Sequence, residues 1–240
     1  MTVKPLGSRL KRKIIVTGHY GSGKTEFSVS LAMQMAAVEN YENPAFRKLA
    51  IIDLDIINPY FRSREKRGIL ERSGISVYGS LFKHEITAEL PAIGASLRAP
   101  LEDKNCRTII DAGGNDSGAL VLNQFTKYFT DDETTVLAVI NAYRPDTKTL
   151  SGAIRHISAI ESVTGLTISN TVNNSHLLRE TTAESIISGN ILCKQLYEAT
   201  GRELLCNCYP EGIVQPAQLS ALAEPLMPIG LYMRPAWLDY

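Results

Sequence analysis

The 240-residue sequence has 25 Lys and Arg residues and 25 Asp and Glu residues, so its formal net charge is zero, and 44% of its residues are hydrophobic. This length allows a substantial core without disulfide bonds, and the composition excludes disordered and collagen-like chains. A chain without net positive charge has no overall field to hold a nucleic-acid backbone or an anionic membrane. Nucleic acid is therefore disfavoured as a partner.

Cysteine spacing and apolar runs indicate the compartment. Cys106, Cys193, Cys206 and Cys208 show neither CxxC nor zinc-finger spacing, which is typical of a reducing compartment. No apolar run in the sequence has the length of a membrane span, and the basic first residues are not followed by the apolar stretch of a signal peptide. We expect a cytoplasmic protein.

Apolar, β-branched runs of strand length recur along the chain, each followed by a stretch of helical period, which predicts βαβ units. Seven strands are predicted, at Lys13–Thr17, Leu49–Leu54, Ile75–Tyr78, Arg107–Asp111, Thr135–Asn141, Thr167–Val172 and Leu204–Tyr209. Helices are predicted at Lys24–Val38, Tyr60–Arg72, Pro91–Leu101, Ala119–Phe129, Asp146–Thr164 and Thr182–Thr200, with a loop at Val38–Lys48.

These elements predict one α/β domain over residues 1–240, with a mostly parallel seven-stranded sheet and helices on both faces. Residues 1–12 form a basic N-terminal arm that we expect to be a solvated tail, although it could also meet an anionic partner. Residues 210–240 contain five prolines in this sequence and are expected to form a closing helix and an irregular tail.

The segment after the first predicted strand reads Gly18-His19-Tyr20-Gly21-Ser22-Gly23-Lys24-Thr25 and matches the phosphate-binding pattern G-x-x-x-x-G-K-[ST] in full. The glycines at 18, 21 and 23 let backbone N–H groups, including that of Ser22, point at phosphate oxygens, and the helix N-terminus adds partial positive charge. Lys24 would bind the β and γ phosphates, and the hydroxyl of Thr25 would bind magnesium. The sequence predicts a P-loop NTPase.

Two further predicted strands end in carboxylates. The second ends Asp53-Leu54-Asp55, and the fourth ends Asp111-Ala112-Gly113-Gly114. Ligands bind at the carboxyl ends of parallel strands, where the phosphate loop also opens, so these groups should converge. Asp111 is suited to magnesium and Gly114 to backbone approach to the γ-phosphate, whereas a turn or helix-cap role is the alternative for the carboxylates.

The order of these motifs resembles the MinD/ParA/CobQ group of P-loop ATPases, in the SIMIBI class, over roughly residues 13–209. The resemblance implies that Asp53 helps to hold magnesium through its waters and that Asp55 orients the attacking water. It also implies Mg-ATP as ligand, with switch segments at Asp53–Arg64 and Asp111–Ser117. Lys24 and Asp55 would be the catalytic residues.

Two positions depart from that group. The group usually has a second lysine directly after the first glycine, which reaches the partner subunit's nucleotide in a sandwich dimer, whereas this sequence has His19. The sequence therefore leaves open whether a homodimer forms with ATP. Glu26 replaces the usual hydroxyl residue, so only its backbone N–H is expected to serve the α-phosphate.

The sixth predicted strand is followed by Asn173-Asn174-Ser175-His176, which resembles the position where P-loop proteins read the base. GTPases have an Asp where this chain has His176, and Asn173 can donate to and accept from the adenine N6 and N7 edge. Asn173 would therefore favour adenine, with an ordinary turn as the alternative. By resemblance, Pro210 would form the other wall of the base pocket.

Cys206 and Cys208 lie two apart on a predicted strand, so both thiols share one face. They could supply half of a metal site at a dimer axis, but small buried apolar residues are the favoured interpretation.

The hypothesis that unites these features is a magnesium- and ATP-binding protein that hydrolyses ATP slowly and acts as a nucleotide-dependent switch for an unknown protein partner. Two alternatives remain at this point. One is an ATP-dependent kinase or ligase on the same fold, and the other is a non-hydrolysing nucleotide-binding partner protein.

Overall fold

The structure is a computed structural model, and it describes residues 6–42, 46–54, 66–79, 97–114 and 119–233. The described residues form one sheet of eight strands, and all neighbouring strands pair in parallel. The strands are β1 Lys13–Gly18, β2 Lys48–Asp53, β3 Ile75–Gly79, β4 Cys106–Asp111, β5 Thr134–Ile140, β6 Asn170–Asn173, β7 Glu203–Pro210 and β8 Leu226–Ile229. Their order across the sheet is β3-β2-β4-β1-β5-β6-β7-β8.

This architecture confirms the predicted α/β fold with a parallel sheet, and each of the seven predicted strands is present. The predicted number of strands is wrong, because β8 lies where a closing helix was expected. β8 pairs with β7 from Asn207↔Leu226 to Pro210↔Ile229 and is the last strand of the sheet. An edge strand tolerates a proline, because one side of its backbone needs no partner, and β8 contains Pro228.

The helices cover both faces of the sheet. They are α1 Lys24–Glu42, α2 Arg67–Arg72, α3 Leu150–Thr164 and α4 Ala183–Thr200, with 3-10 helices at Leu6–Arg9, Leu120–Tyr128, Leu178–Glu180 and Pro216–Leu219 and a helical segment at 97–102. α1 continues to Glu42, so the first part of the predicted loop at Val38–Lys48 is helical. The helix predicted at Ala119–Phe129 is a 3-10 helix over most of its length.

Two apolar layers pack against the sheet, because successive strand residues point to opposite faces. On one face, Ile14 and Ile109 pack in a cluster with Phe27 of α1. On the other face, Ile15 belongs to a cluster that includes Ile157 of α3. Strand residues are buried on both faces, which explains why the strands appear in the sequence as continuous apolar runs.

The last residues of the basic arm are not a solvated tail. Arg12 and Lys13 are buried, and both contact a carboxylate oxygen of Glu133, at 2.7 Å and 3.0 Å. Arg12 also donates to the backbone carbonyls of Leu101 and Asp103. Because buried cations need such partners, the charge of this segment fastens the start of β1 to the loops around it.

None of the described helices is both long and apolar enough to cross a membrane.

Candidate functional site

The phosphate-loop segment joins the end of β1 to the start of α1, as the motif predicts. Gly21 and Gly23 have φ values of 72° and 80°, which favour glycine. The N–H of Ser22 donates to the carbonyl of His19 at 3.0 Å, and the N–H of Phe27 donates to the carbonyl of Gly23 at 2.9 Å, where α1 begins. The loop therefore leads directly into a 19-residue helix, whose N-terminus favours anions.

Gly114 brings the segment after β4 against this loop. A Cβ atom built on Gly114 would stand 2.5 Å from the carbonyl oxygen of Gly18, 2.8 Å from Nζ of Lys24 and 3.1 Å from the backbone nitrogen of Tyr20. Only a residue without a side chain fits here without displacing the loop. The structure thus places Gly114 beside the lysine that the motif assigns to the phosphates.

Asp53 and Asp111 lie side by side at the carboxyl ends of β2 and β4. They are register partners, and they are 2% and 0% exposed. Asp111 is also the register partner of Val16 in β1, and Thr25 lies in the first turn of α1, which follows β1 at the same edge. A magnesium ion takes one or two carboxylates, a hydroxyl and phosphate oxygens, so Thr25, Asp53 and Asp111 fit such an ion.

A cluster of three or more His, Cys, Asp or Glu side chains that could hold a metal does not occur among the described residues. The expected magnesium site does not need one, because the nucleotide supplies much of the coordination. Asp55 lies outside the described residues, as do most of the first predicted switch segment and residues 115–117 of the second.

At the end of β6, two neighbouring asparagines have different surroundings. Asn173 is 0% exposed, and its Nδ2 donates to Oδ1 of Asn207 at 2.7 Å and to the carbonyl of Ile186 at 2.9 Å. Its Oδ1 accepts from the N–H of Ser175 at 3.2 Å. This geometry turns the amide of Asn173 into the protein and does not favour the predicted contact with a base.

Asn174 contacts the phosphate loop instead. Its Nδ2 donates to the carbonyl of Ser22 at 2.8 Å, and the same nitrogen would be 2.4 Å from a Cβ on Gly23. Sequence reasoning chose Asn173 because the two residues are adjacent and both are amides. The missed signal is that successive residues at a strand end point in opposite directions.

His176 also lies next to the loop, with Nε2 3.2 Å from the position of a Cβ on Gly23. Its Nδ1 is 3.4 Å from the backbone N–H of Leu178, so Nδ1 is the acceptor and Nε2 carries the proton. Burial, together with the nearby positive charge of Arg144, lowers the pKa of His176 to about 4. The side chain is therefore a neutral donor at pH 7.

Arg144, which the sequence analysis did not single out, holds the tip of the phosphate loop. Its Nε donates to the carbonyl of Gly21 at 2.7 Å. Arg144 follows the end of β5, at the carboxyl edge of the sheet where ligand-binding side chains collect. Its position after a predicted strand was a signal that could have found it.

His19 is turned toward its own chain. Its Nε2 lies 2.6 Å from Oδ2 of Asp146, and its ring meets the ring of His156 edge to face at 5.4 Å between centroids. Asp146 lies in the segment between β5 and α3, and His156 lies in α3 itself. His19, which stands at the position of the second lysine in the MinD/ParA/CobQ group, therefore contacts residues of its own chain.

Glu26 and Pro210, the remaining predicted site residues, lie at the same carboxyl edge of the sheet. The carboxylate of Glu26 accepts from the N–H of Met233 at 2.9 Å and 3.1 Å, and burial raises its pKa above the ordinary value. Pro210 is buried at the end of β7, which neighbours β6. The side chain of Glu26 thus fastens the segment after β8 to the first turn of α1, and the role of its backbone N–H at the α-phosphate stays a prediction.

Cys206 and Cys208 are buried in β7 within the apolar cluster on the α1 face. Burial, with the neighbouring thiol of Cys206, raises the pKa of Cys208 above its ordinary value. Thiols that stay protonated in apolar surroundings behave as small apolar residues. The surroundings favour that interpretation over a metal site.

Comparison with known proteins gives structural but not sequence matches. No protein-family model matches the chain, and no curated protein sequence matches it. The cell division protein FtsY of Thermotoga maritima superimposes with a TM-score of 0.51 at 20% identity, over 80% of this chain and 59% of that one. FtsY of Mycoplasma mycoides gives 0.53 at 15% identity, over 80% and 57%. Chloroplast FtsY of Physcomitrella patens gives 0.51 at 13% identity, over 80% and 56%.

The chain shares the parallel α/β fold of these FtsY structures. The chain spans less than three-fifths of the length of these FtsY structures, and identities of 13–20% speak for the fold alone. The likeness concerns the fold and does not single out the MinD/ParA/CobQ group that the sequence motifs resemble. Within this fold, the phosphate loop, Asp53, Asp111 and Gly114 share one edge of the sheet.

Proposed function

We propose that this protein binds Mg-ATP, hydrolyses it slowly and uses its nucleotide state as a switch for a protein partner. The observation that carries the proposal is the convergence of Lys24, Gly114 and the Asp53–Asp111 pair at the mouth of the phosphate loop. Phosphoryl transfer to water needs mainly positioning and charge stabilisation, and these groups supply both.

Each residue has a separate task in this proposal. The backbone N–H groups of the loop and the ammonium of Lys24 bind the phosphates, and Thr25, Asp53 and Asp111 hold magnesium. When bound, magnesium neutralises charge that develops on the phosphate oxygens. Gly114 leaves space for the γ-phosphate close to Lys24. Asp55 orients the attacking water by the same resemblance that assigned it.

The preference for adenine rests on the base end of the site. GTPases read the guanine N1 and N2 donors with a carboxylate, whereas His176 presents a neutral Nε2–H donor near the loop. Two donors facing each other cannot form a hydrogen bond, but a donor suits the unprotonated N1 of adenine. We propose that Asn174, which contacts Ser22, forms the hydrogen bonds to the base that the sequence analysis assigned to Asn173.

Titration of the protein with Mg-ATP, followed by single-turnover hydrolysis, tests the proposal. Lys24→Ala should abolish measurable binding, because the triphosphate loses the side-chain charge that the motif provides. Lys104→Ala, at an exposed position, is the matched control and should bind as the wild type does. Unchanged affinity in Lys24→Ala would overturn the proposal.

Hydrolysis is tested separately from binding. Asp55→Asn should keep nucleotide affinity within about tenfold while slowing hydrolysis much more, because an orienting group acts mainly in the transition state. Turnover that appears only with an added acceptor would point to the kinase or ligase alternative. Binding without hydrolysis, with and without candidate partners, would point to a non-hydrolysing partner protein.

A further inference from the structure

The order of the strands orients a nucleotide in the site, and this step rests on the proposed function. β1 carries the phosphate loop at the middle of the sheet, with β4 and β2 on one side and β5, β6 and β7 on the other. The carboxylates and Gly114 lie on the β4 side, so the γ-phosphate and magnesium belong there. The nucleoside therefore extends toward β5 and β6, whose ends carry Arg144, Asn174 and His176.

The guanidinium of Arg144 lies flat against the tip of the loop. A Cβ built on Gly21 would be 3.1 Å from Cζ, 3.1 Å from Nε and 3.4 Å from Nη2 of Arg144. A point nearly equidistant from these three atoms lies above the guanidinium plane, since a point in the plane would be much nearer to one nitrogen. One face of the guanidinium thus covers Gly21, while Nε donates to the carbonyl of the same residue at 2.7 Å.

Among the described residues, no carboxylate pairs with the charge of Arg144. Arg144 forms no ion pair with another of the described residues, and the nearby Asp146 is 2.6 Å from His19. The neighbouring His176 is neutral at pH 7. A half-buried guanidinium that is held by one backbone carbonyl, with one face covered, is preorganised for a ligand on its other face.

We propose that the second face of the Arg144 guanidinium stacks on the purine base of the bound nucleotide. A planar cation stacks well on an aromatic ring, and the contact needs no rotamer change because Gly21 already fixes the plane. Stacking recognises the face of the base, so Arg144 raises affinity for purine nucleotides, while discrimination between them is left to groups at the base edge.

Displacement of a fluorescent ATP analogue by two competitors tests this assignment. Mg-ATP has a base, whereas magnesium tripolyphosphate presents phosphates alone. Arg144→Lys keeps the charge and a donor for the Gly21 carbonyl but removes the plane, and Arg144→Met removes both. Arg155→Lys, at an exposed position on α3, is the matched control.

We expect Arg144→Lys to weaken Mg-ATP binding by about tenfold, the scale of one stacking contact, and to leave tripolyphosphate within about twofold. Equal losses for both competitors would overturn the proposal, because Arg144 would then bind phosphate or hold the loop. No loss for Mg-ATP would also overturn it. If the wild type binds no nucleotide, the proposed function itself fails. If the wild type binds Mg-ATP and Arg144→Lys weakens both competitors equally, only the stacking contact is refuted.

Discussion

Gly114 and Lys24 lie so close that a Cβ atom on the glycine would stand 2.8 Å from Nζ of the lysine. The two residues come from different βα units, separated in sequence by β2, β3 and β4. The contact arises because β1 and β4 are neighbours in the sheet, which brings the segment after β4 to the phosphate loop. The geometry makes the absence of a side chain at residue 114 a requirement of the site.

Gly114→Ala should therefore lower nucleotide affinity by at least tenfold, since the added methyl group would force the loop backbone or Lys24 to move. Isothermal titration with Mg-ATP measures the effect. Gly68→Ala is the control, because its Cβ would meet only the end of Arg72, at 3.6 Å, in the exposed part of α2. Equal affinities in the two variants would show that the loop adapts.

The two asparagines after β6 should separate base recognition from stability. Asn174→Ala should weaken Mg-ATP binding and reduce the preference for ATP over GTP, because Asn174 lies on the loop at Ser22. Asn173→Ala should lower the free energy of unfolding by about 1 to 3 kcal/mol, since it leaves buried partners unpaired, without changing the ATP to GTP ratio. Nucleotide competition and urea unfolding measure the two effects, and the reverse pattern would restore the assignment to Asn173.

Glu133 should stabilise the start of β1 through its contacts with Arg12 and Lys13. These cations hold the pKa of Glu133 down at about 2, below its ordinary value of 4.5. The stabilisation is therefore complete above about pH 4.5 and is lost as the pH falls toward 2. Glu133 is partly exposed, so Glu133→Gln should cost only about 1 to 2 kcal/mol at pH 7.

Urea unfolding at pH 7 and at pH 3 checks this prediction. The difference between wild type and Glu133→Gln should shrink at the lower pH, because the carboxylate of the unfolded wild type is then mostly protonated. Glu198→Gln, at an exposed position in α4, should differ little from wild type at either pH. A difference that is independent of pH would show that charge is not the cause.

His176 should make stability fall in mild acid. Burial, together with the nearby charge of Arg144, lowers its pKa to about 4 in the folded protein from an ordinary value of 6.5, so folding keeps the side chain neutral. Above pH 6.5 the side chain is neutral in both states, and its full contribution to the free energy of unfolding is present. As the pH falls toward 4, only the unfolded state gains the proton, so the free energy of unfolding is lower by about 2 kcal/mol at pH 5. His176→Gln cannot gain this charge, so its unfolding free energy should decline less between pH 7.5 and pH 5. Parallel declines in urea unfolding would contradict the assigned burial.

Local chemistry allowed several features to be predicted from the sequence. The P-loop is encoded by contiguous residues from Gly18 to Thr25, and the adjacent strand and helix have clear periodic patterns. The buried parallel strands were recognisable as continuous apolar runs, which only sheets covered on both faces require. Asp53 and Asp111 could be expected to meet because strand ends share one edge in such a sheet.

Other features depended on contacts between segments far apart in the chain. β8 was missed because four residues containing Pro228 become a strand only when β7 offers its edge. The sequence could not separate Asn173 from Asn174, because the direction of each amide depends on where β6 ends and on what packs behind it. Behind Asn173 these partners are Asn207 and Ile186. The position of Arg144 after a strand marked it as a candidate, but its contact with Gly21 could not be predicted because Gly21 lies more than a hundred residues earlier.

The sequence by itself determined the phosphate-binding motif, since that motif consists of backbone N–H groups and one lysine that lie together in the chain. It also determined the α/β class, since hydrophobic periodicity is a local property. Only the tertiary structure decided which side chains surround the phosphate loop, because the order of strands in a sheet is not the order in the sequence. Arg144, Asn174 and Gly114 reach the loop for that reason, each carried there by a strand beside or near β1.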